Sequence, residues 1–171
     1  MLIAQEKEKT NIAEYILYMW QIEDIIRSHH FDLSQNSERH RSPKILHKKG
    51  DYVNKVFNFI LEDSYMHPHL HPSEEKIEKM YLLDGSFALI TFNDDGEVTD
   101  TYILAKGGRE SIDVPAFTWH TYVMLTKEVI VFETMEGVYN PSTWKEMASW
   151  APLENGKDSL AYLDFLKNID K

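Results

Sequence analysis

The stretch MHPHLHPSEEKIEKMYLLDG (Met66–Gly85) has three histidines at alternate positions, followed by a few polar residues and then by an apolar run that ends in a turn sequence. Alternate side chains of a β-strand point to the same face of the sheet. His67, His69 and His71 are therefore predicted to share one face, which in a barrel strand can be the interior. Neutral imidazoles that converge in a confined space suit a divalent transition metal. The spacing therefore predicts a metal held inside a small β-barrel.

Two further residues complete a candidate metal site. Glu78 begins an otherwise apolar strand, IEKMYLL, where a carboxylate is costly to bury unless it coordinates a cation or pairs with another group. Much later in the chain, the segment VPAFTWHTYVML carries His120 among apolar and aromatic residues. A lone core histidine is more often structural, but beside a histidine pair and a strand glutamate it supplies a fourth ligand.

From Ile45 onward the sequence consists of short strands separated by turns. In the first of them, YVNKVFNFIL, we expect Val53, Phe57 and Phe59 to point inward. The steps Asp84-Gly85 and Asp94-Asp95-Gly96 are predicted to form hairpin turns, because Asp-Gly is a strong signal for them. Strands at intervals of roughly 8–12 residues favour a sandwich or barrel over a parallel βαβ sheet.

The N-terminal part differs from the rest in its periodicity. Apolar residues in TNIAEYILYMWQIEDIIRS (residues 10–28) recur at helical spacing, which predicts an amphipathic helix with Thr10 or Asn11 as its N-cap. Such a helix needs an apolar partner, and we expect a homodimer interface there, or else packing on the barrel's flank. The following stretch up to Pro43 has no periodicity and is predicted to be a linker.

The C-terminal part is predicted to form a wrap and a closing helix. The segment VYNPSTWKEMASWAPLENG is aromatic and rich in turn residues, and we expect it to wrap the outside of the barrel. In DSLAYLDFLKNID, an Asp/Ser cap precedes leucines spaced three apart, which predicts a short helix containing Leu160, Leu163 and Leu166. The predicted division is residues 1–42 (helix and linker), 43–156 (barrel and wrap) and 157–171 (closing helix).

Composition excludes several classes of function. The 171 residues carry a formal net charge of −10, which argues against binding to nucleic acid or to an anionic membrane surface. The sequence has no cysteine, so disulfides and thiolate metal sites are excluded. No window approaches the roughly 18 apolar residues of a membrane span, and the first residues lack the apolar core of a signal peptide. We therefore expect a soluble, cytoplasmic protein that binds a small molecule.

Two motifs of the chain resemble those of the cupins, the first of the form HxH…E…G and the second of the form G…P…H. Closer still, the sequence resembles the WbuC-type family of cupin-fold metalloproteins from about Arg39 to Glu154. The segments that carry this resemblance are RHRSPKILH, HPHLHP, IEKMYLLDGSFALITFNDDG, VPAFTWHTYV and FETMEGVYNPSTWKEMASWAPLE. The last segment lies outside the general cupin motifs, so its match is specific. The N-terminal segment also resembles an uncharacterised family of small helical bacterial proteins.

The resemblance implies a mainly β fold: a cupin double-stranded β-helix, or jelly-roll barrel, with an N-terminal helix and a short C-terminal helix. It implies one divalent transition metal, with iron, manganese, nickel, cobalt and zinc all open. The implied metal ligands are His69, His71, Glu78 and His120. The implied setting is surface-polysaccharide or sugar-nucleotide metabolism, with a sugar derivative as the small molecule.

The sequence departs from the cupin pattern at several positions. Six residues separate His71 from Glu78, which is more than the family's usual spacing. Glu75 would satisfy that spacing, but the strand that follows favours Glu78 as the ligand. Phe117 stands where glycine is usual, and we expect it to narrow the mouth of the site. His67 lies outside the motif and is interpreted as a histidine at the rim.

Three functions remain open from the sequence. A site with an open coordination position would act as a metalloenzyme, either a sugar-derivative isomerase or epimerase, or a small-molecule dioxygenase. Alternatively, the barrel is a non-catalytic module that binds a small ligand, or a scaffold that has lost its metal. Four aromatic residues either line a pocket above the metal or belong to the core: Tyr65, Tyr81, Trp119 and Tyr122.

Overall fold

Residues 37–169 contain ten β-strands and one helix in the computed structural model, which describes these residues and Gln21. The chain divides into two units, Met1–Gln35 and Asn36–Lys171, and these strands and the helix belong to the second. The N-terminal helix expected over residues 10–28, with its expected dimer interface, lies outside the described residues apart from Gln21. Within the described part of the chain, no helix has the length and apolar character needed to cross a membrane.

The strands are short and separated by turns, as the sequence predicts, but the first begins at Arg41, so the expected linker up to Pro43 was wrong at its end. In chain order they are β1 Arg41–Ile45, β2 Val53–Leu61, β3 His69–Leu70, β4 Glu78–Asp84, β5 Ser86–Phe92, β6 Val98–Ala105, β7 Ser111–Val114, β8 Trp119–Met124, β9 Glu128–Glu136 and β10 Glu146–Met147. The C-terminal helix is Ser159–Lys167.

The strands form two five-stranded antiparallel sheets, whose inner faces enclose the main core. The first sheet has the order β1-β2-β9-β4-β7, and the second has the order β10-β3-β8-β5-β6. The core between them combines side chains of both sheets: Ile60, Met80, Leu82, Val114, Val129 and Val131 from the first, and Phe87, Leu89, Leu104, Tyr122 and Met124 from the second. This mainly β, jelly-roll arrangement confirms the fold class expected from the sequence.

The predicted closing helix exists and packs on the outer face of the second sheet. Leu163 and Leu166 are buried there in a cluster that includes Ile90 and Val123. Leu160, which shares their spacing, is 64% exposed. Residues three apart advance by less than a full helical turn, so a row of three such residues drifts away from one face. Asp158 occupies the N-cap position, but its side chain makes no capping hydrogen bond.

The inward positions expected for β2 were wrong. Val53 is 39% exposed at the start of the strand. Phe57 and Phe59 are buried, but Ile60, not they, belongs to the core between the sheets. Phe57 instead contacts the ring of Phe132 at 4.9 Å between centroids. Because a shift of one residue exchanges the two faces of a strand, the parity chosen from the sequence placed the aromatic residues on the wrong face.

The two Asp-Gly steps have different roles. Asp94-Asp95-Gly96 connects the paired strands β5 and β6, which confirms that hairpin. Asp84-Gly85 joins β4 in the first sheet to β5 in the second, so the expected hairpin there was wrong and the chain instead passes between sheets. Gly85 has φ +80°, and a Cβ atom on it would lie 2.3 Å from the carbonyl oxygen of Glu128. The close approach, together with the left-handed backbone, requires glycine.

We predict that Gly85→Ala destabilises the protein far more than Gly107→Ala. Gly107 has a similar φ of +78°, but nothing lies within 4 Å of a Cβ atom placed there. Gly107→Ala should therefore lower the free energy of unfolding by only about 1 kcal/mol, the cost of an alanine in the left-handed conformation. Gly85→Ala adds a clash with main-chain atoms and should lower the free energy of unfolding by about 3 kcal/mol. Denaturant unfolding of both variants measures this difference, and equal losses would contradict the role of the close approach.

Candidate metal centre

Both sheets contribute to a cluster of three histidines and one glutamate. His69 lies in β3 and is paired in register with His120 of β8, while His71 follows β3 directly. Glu78 is the first residue of β4 in the opposite sheet. One potential ligand atom from each of the four residues lies within 4.8 Å of the others, and all four residues are buried. The structure thus brings together the four residues that the sequence singles out as metal ligands.

Main-chain carbonyl groups fix the orientation of the three imidazoles. The Nδ1 atom of each ring lies 2.8–2.9 Å from a carbonyl oxygen. These acceptors are the carbonyl oxygens of His67 for His69, of Trp144 for His71, and of Thr118 for His120. Since a carbonyl oxygen only accepts, each Nδ1 carries the hydrogen, and a neutral ring then has its lone pair on Nε2. Histidine ligands of metals are commonly oriented in this way.

The Nε2 atoms fit a bound cation. The Nε2 atom of His120 lies 2.9 Å from Oε2 of Glu78, and that of His71 lies 3.6 Å from the same oxygen. The His71 Nε2 atom is buried and has no hydrogen-bond partner among the described residues. A carboxylate oxygen and a neutral imidazole nitrogen both accept, so a proton or a cation must lie between them. Three imidazole nitrogens and one carboxylate suit a divalent transition metal.

The protonation states of the cluster favour ligation. Burial lowers the pKa of His69 well below its usual value, and the nearby His120 lowers it further, so the ring is neutral. Burial alone would raise the pKa of Glu78, but the contacts with His120 and His71 and the charges of these two rings when protonated together outweigh burial, and they hold that pKa well below its usual value. A neutral imidazole and an ionised carboxylate are the forms that bind metals.

Two other residues near the cluster have different roles. Glu75, the alternative carboxylate, is exposed and accepts a hydrogen bond from the hydroxyl of Ser73. His67 is buried rather than at the rim, and its Nε2 atom lies 2.8 Å from the carbonyl oxygen of Ala148. That hydrogen bond ties the C-terminal segment to the barrel, so His67 is structural.

Phe117, expected at a position where glycine is usual, has a backbone conformation that favours glycine. Its φ is +61°, in the left-handed region, and its N–H group donates to the carbonyl oxygen of His71 at 3.0 Å. Its side chain is 56% exposed and is not part of the cavity wall, so the expected narrowing of the site was wrong. The turn before β8 is therefore fixed by a main-chain hydrogen bond despite the bulky residue.

A cavity of about 320 Å³ opens onto the cluster. His69, His71 and Glu78 form part of its wall, whereas His120 is fully buried behind them. Of the four aromatic residues considered for a pocket, Tyr122 alone lines this cavity. The charged and polar part of the wall includes Arg39, Arg41, Asn58, Glu133 and Lys145, and Trp144 lies on the wall as well.

Glu133 is a functional candidate that the sequence reasoning missed. Its Oε1 atom accepts a hydrogen bond from the hydroxyl of Tyr122 at 2.8 Å, and Asn58 also bonds its carboxyl group. The side chain is only partly buried, because it faces the cavity. Burial and the charge of Glu78 raise the pKa of Glu133 to about 8. Strand parity was the available signal, since Glu133 continues the inward row of core residues in β9.

The segment after β9 forms part of the site. This segment was expected to wrap the outside of the barrel, but Tyr139 and Trp144 line the cavity, and the Trp144 carbonyl orients His71. Lys76, itself buried, holds this segment: its Nζ atom donates to the carbonyl oxygen of Thr143 at 2.6 Å and lies 5.0 Å from the Trp144 ring centroid. The pairing of β10 with β3 adds a second attachment.

Comparisons with known proteins support the fold. Residues 23–104 match the model of a domain of unknown function, DUF6016. A search of curated proteins finds no match. Among solved structures, the chain is similar to the capsular polysaccharide assembling protein CapF from Staphylococcus aureus, with 17% identity, a TM-score of 0.55, and coverage of 66% of this chain and 33% of CapF.

Two further solved structures resemble the chain. Oxalate decarboxylase from Lactobacillus farciminis has 14% identity and a TM-score of 0.52, with coverage of 66% of this chain and 32% of that one. A recombinant oxalate oxidase has 11% identity and a TM-score of 0.50, covering 66% and 57%. The match spans about a third of CapF and of the decarboxylase. At identities this low, the structural similarity shows a shared fold, the cupin fold, and nothing finer. The WbuC-type resemblance stays a prediction.

We predict that Lys76→Met weakens the binding of divalent metal about tenfold, because it releases the segment whose Trp144 carbonyl orients His71. Lys79→Met is the matched control, since Lys79 is close in sequence but exposed. Competition with a chelator measures both affinities, and thermal unfolding reports whether each variant is folded. Equal affinities in two folded variants would contradict this role of Lys76.

We also predict that Glu133 is protonated at neutral pH in the metal-free protein and ionises near pH 8. Infrared spectroscopy should show a protonated carboxyl band that is lost near pH 8, absent in Glu133→Gln and retained in Glu136→Gln, an exposed control on the same strand. The pKa of Glu133 is higher in the folded protein than its ordinary value of 4.5. Its contribution to the free energy of unfolding is therefore complete below pH 4.5 and is lost as the pH rises through about 8. A band that titrates near pH 4.5 would contradict the assignment.

Proposed function

We propose that this protein is a divalent-metal cupin that isomerises or epimerises a sugar-derived small molecule by metal-assisted proton transfer. The proposed metal ligands are His69, His71, Glu78 and His120, and the metal is iron, manganese, nickel, cobalt or zinc. The observation that carries the proposal is the buried cluster of three oriented imidazoles and one carboxylate beside a cavity that also contains a second carboxyl group, Glu133.

The cluster supports metal binding because its buried polar atoms need a partner. Burying a carboxylate and three imidazoles costs free energy unless they are paired, and the His71 Nε2 atom has no partner among the described residues. A bound divalent cation supplies a Lewis acid that polarises a carbonyl or hydroxyl oxygen of the substrate. The cavity gives a small molecule access to the exposed side of the cluster.

Glu133 favours catalysis over binding alone. Its carboxyl group lines the same cavity and is held by Tyr122 and Asn58. A carboxyl group whose pKa lies near neutrality can both accept and donate a proton at physiological pH. Burial and the charge of Glu78 raise the pKa of Glu133, and a bound cation would offset the charge of Glu78. In the proposed reaction, the ionised form of Glu133 removes a proton from a carbon next to a carbonyl group and then returns a proton to the substrate. Substrate and product are then isomers, and no oxidant or other reactant is consumed.

The choice of a sugar derivative has two supports. The WbuC-type resemblance of the segments between Arg39 and Glu154 implies a role in surface-polysaccharide or sugar-nucleotide metabolism. CapF, which shares the fold, is described as a capsular polysaccharide assembling protein. The two oxalate enzymes were solved with formate and glycolate, which are also small oxygen-rich molecules.

The proposal is tested by elemental analysis of untagged protein purified without added metal. We expect about one equivalent of a transition metal per chain, since the four ligands form one site. Glu78→Gln should lose most of this metal, and Glu75→Gln, its exposed control, should retain it. The double variant His69→Ala/His120→Ala should be metal-free and folded, as circular dichroism would show. Stoichiometric metal in a folded double variant would overturn the ligand assignment.

A further inference from the structure

One wall of the cavity carries an excess of positive charge. Arg39, Arg41 and Lys145 all line it. The two arginines share a single carboxylate, that of Glu154: the Arg39 Nε atom lies 2.7 Å from it, and the Arg41 guanidinium donates to it as well. Three cations therefore face one anionic partner on this wall. In a chain of net charge −10, such a local reversal of sign calls for an explanation.

Lys145 is the cation on this wall that has no fixed partner. The described residues provide no hydrogen bond or ion pair to its Nζ atom, and Lys145 is an exposed residue that lines the cavity. Arg41, by contrast, is buried and also donates to Ser64 and to the carbonyl oxygen of Tyr65. Arg41 is therefore committed to holding the fold, while Lys145 is available to a ligand.

The size of the cavity limits what can bind there. A volume of about 320 Å³ lies at the lower end of the range for small-molecule sites, roughly 300–1,000 Å³. A single sugar unit suits this space better than a complete sugar nucleotide. The candidate metal cluster, Glu133 and the cationic side chains all line this one cavity.

We propose that the cavity binds an anionic monosaccharide derivative, a sugar acid or a sugar phosphate, whose charged group lies against Lys145 while its hydroxyl or carbonyl oxygens face the metal cluster. This inference rests on the proposed function and narrows its substrate class. The charged group adds attraction from the cationic wall, and Glu133, the proton-transfer group, lines the same cavity.

The test uses three probes that differ at one carbon: glucose, glucuronate and glucose 6-phosphate. Calorimetric titration into metal-loaded protein should show that at least one of the two anions binds about tenfold more tightly than glucose. The preference between glucuronate and glucose 6-phosphate identifies the charged group as carboxylate or phosphate. Added salt should weaken the binding of the anion and leave that of glucose unchanged, because the added attraction is electrostatic.

Lys145→Gln should weaken binding of the preferred anion about fivefold, as expected for one exposed charge contact. Lys127→Gln is the matched control, because it removes the same charge from an exposed residue in the turn between β8 and β9, outside the cavity wall. Equal affinity for all three probes, no binding of either anion, or equal effects of the two substitutions would overturn the inference. Elemental analysis of the same samples keeps the two proposals separate, since absent metal contradicts the proposed function and present metal without anion preference contradicts this inference alone.

Discussion

The carboxylate of Glu78, buried inside the barrel, is the constraint on which the whole site depends. An ionised carboxylate is stable in a protein interior only when donors or positive charge surround it. Its Oε2 atom lies 2.9 Å from His120 and 3.6 Å from His71, and carbonyl groups hold both rings through their Nδ1 atoms. Main-chain geometry therefore directs lone pairs toward one point, and a cation at that point satisfies the glutamate and the imidazoles together.

The same strands provide both the stability of the barrel and the chemistry of the site. Along the inward faces of four strands, the side chains change from apolar to polar toward the cavity. The rows are Ile60 and Asn58 in β2, Leu82, Met80 and Glu78 in β4, Met124, Tyr122 and His120 in β8, and Val129, Val131 and Glu133 in β9. The apolar ends pack against one another between the sheets, which holds the polar ends in place without requiring a flexible loop to position them.

Sequence patterns failed where a contact depends on a distant part of the chain. Asp84-Gly85 has the composition of a hairpin turn, yet its flanking strands pair with different partners in different sheets. The segment around Trp144 has no strand periodicity, and only its position beside His71 reveals that its carbonyl group orients a ligand. In the sequence, Glu133 is an ordinary glutamate within a strand, and only the folded structure shows its contact with Tyr122 and its place in the cavity wall.

By itself, the sequence determined the fold class and the candidate donor set, because strand alternation, turn residues and the two motifs are local features of the chain. The cupin barrel and the convergence of His69, His71, Glu78 and His120 agree with that prediction. Tertiary structure agrees with the choice of Glu78 over Glu75, and it alone decided that Glu133 and Lys145 share the cavity of the histidines. The physical reason is that these relations depend on which strands pair and on which face each residue lies, and local periodicity leaves both undetermined.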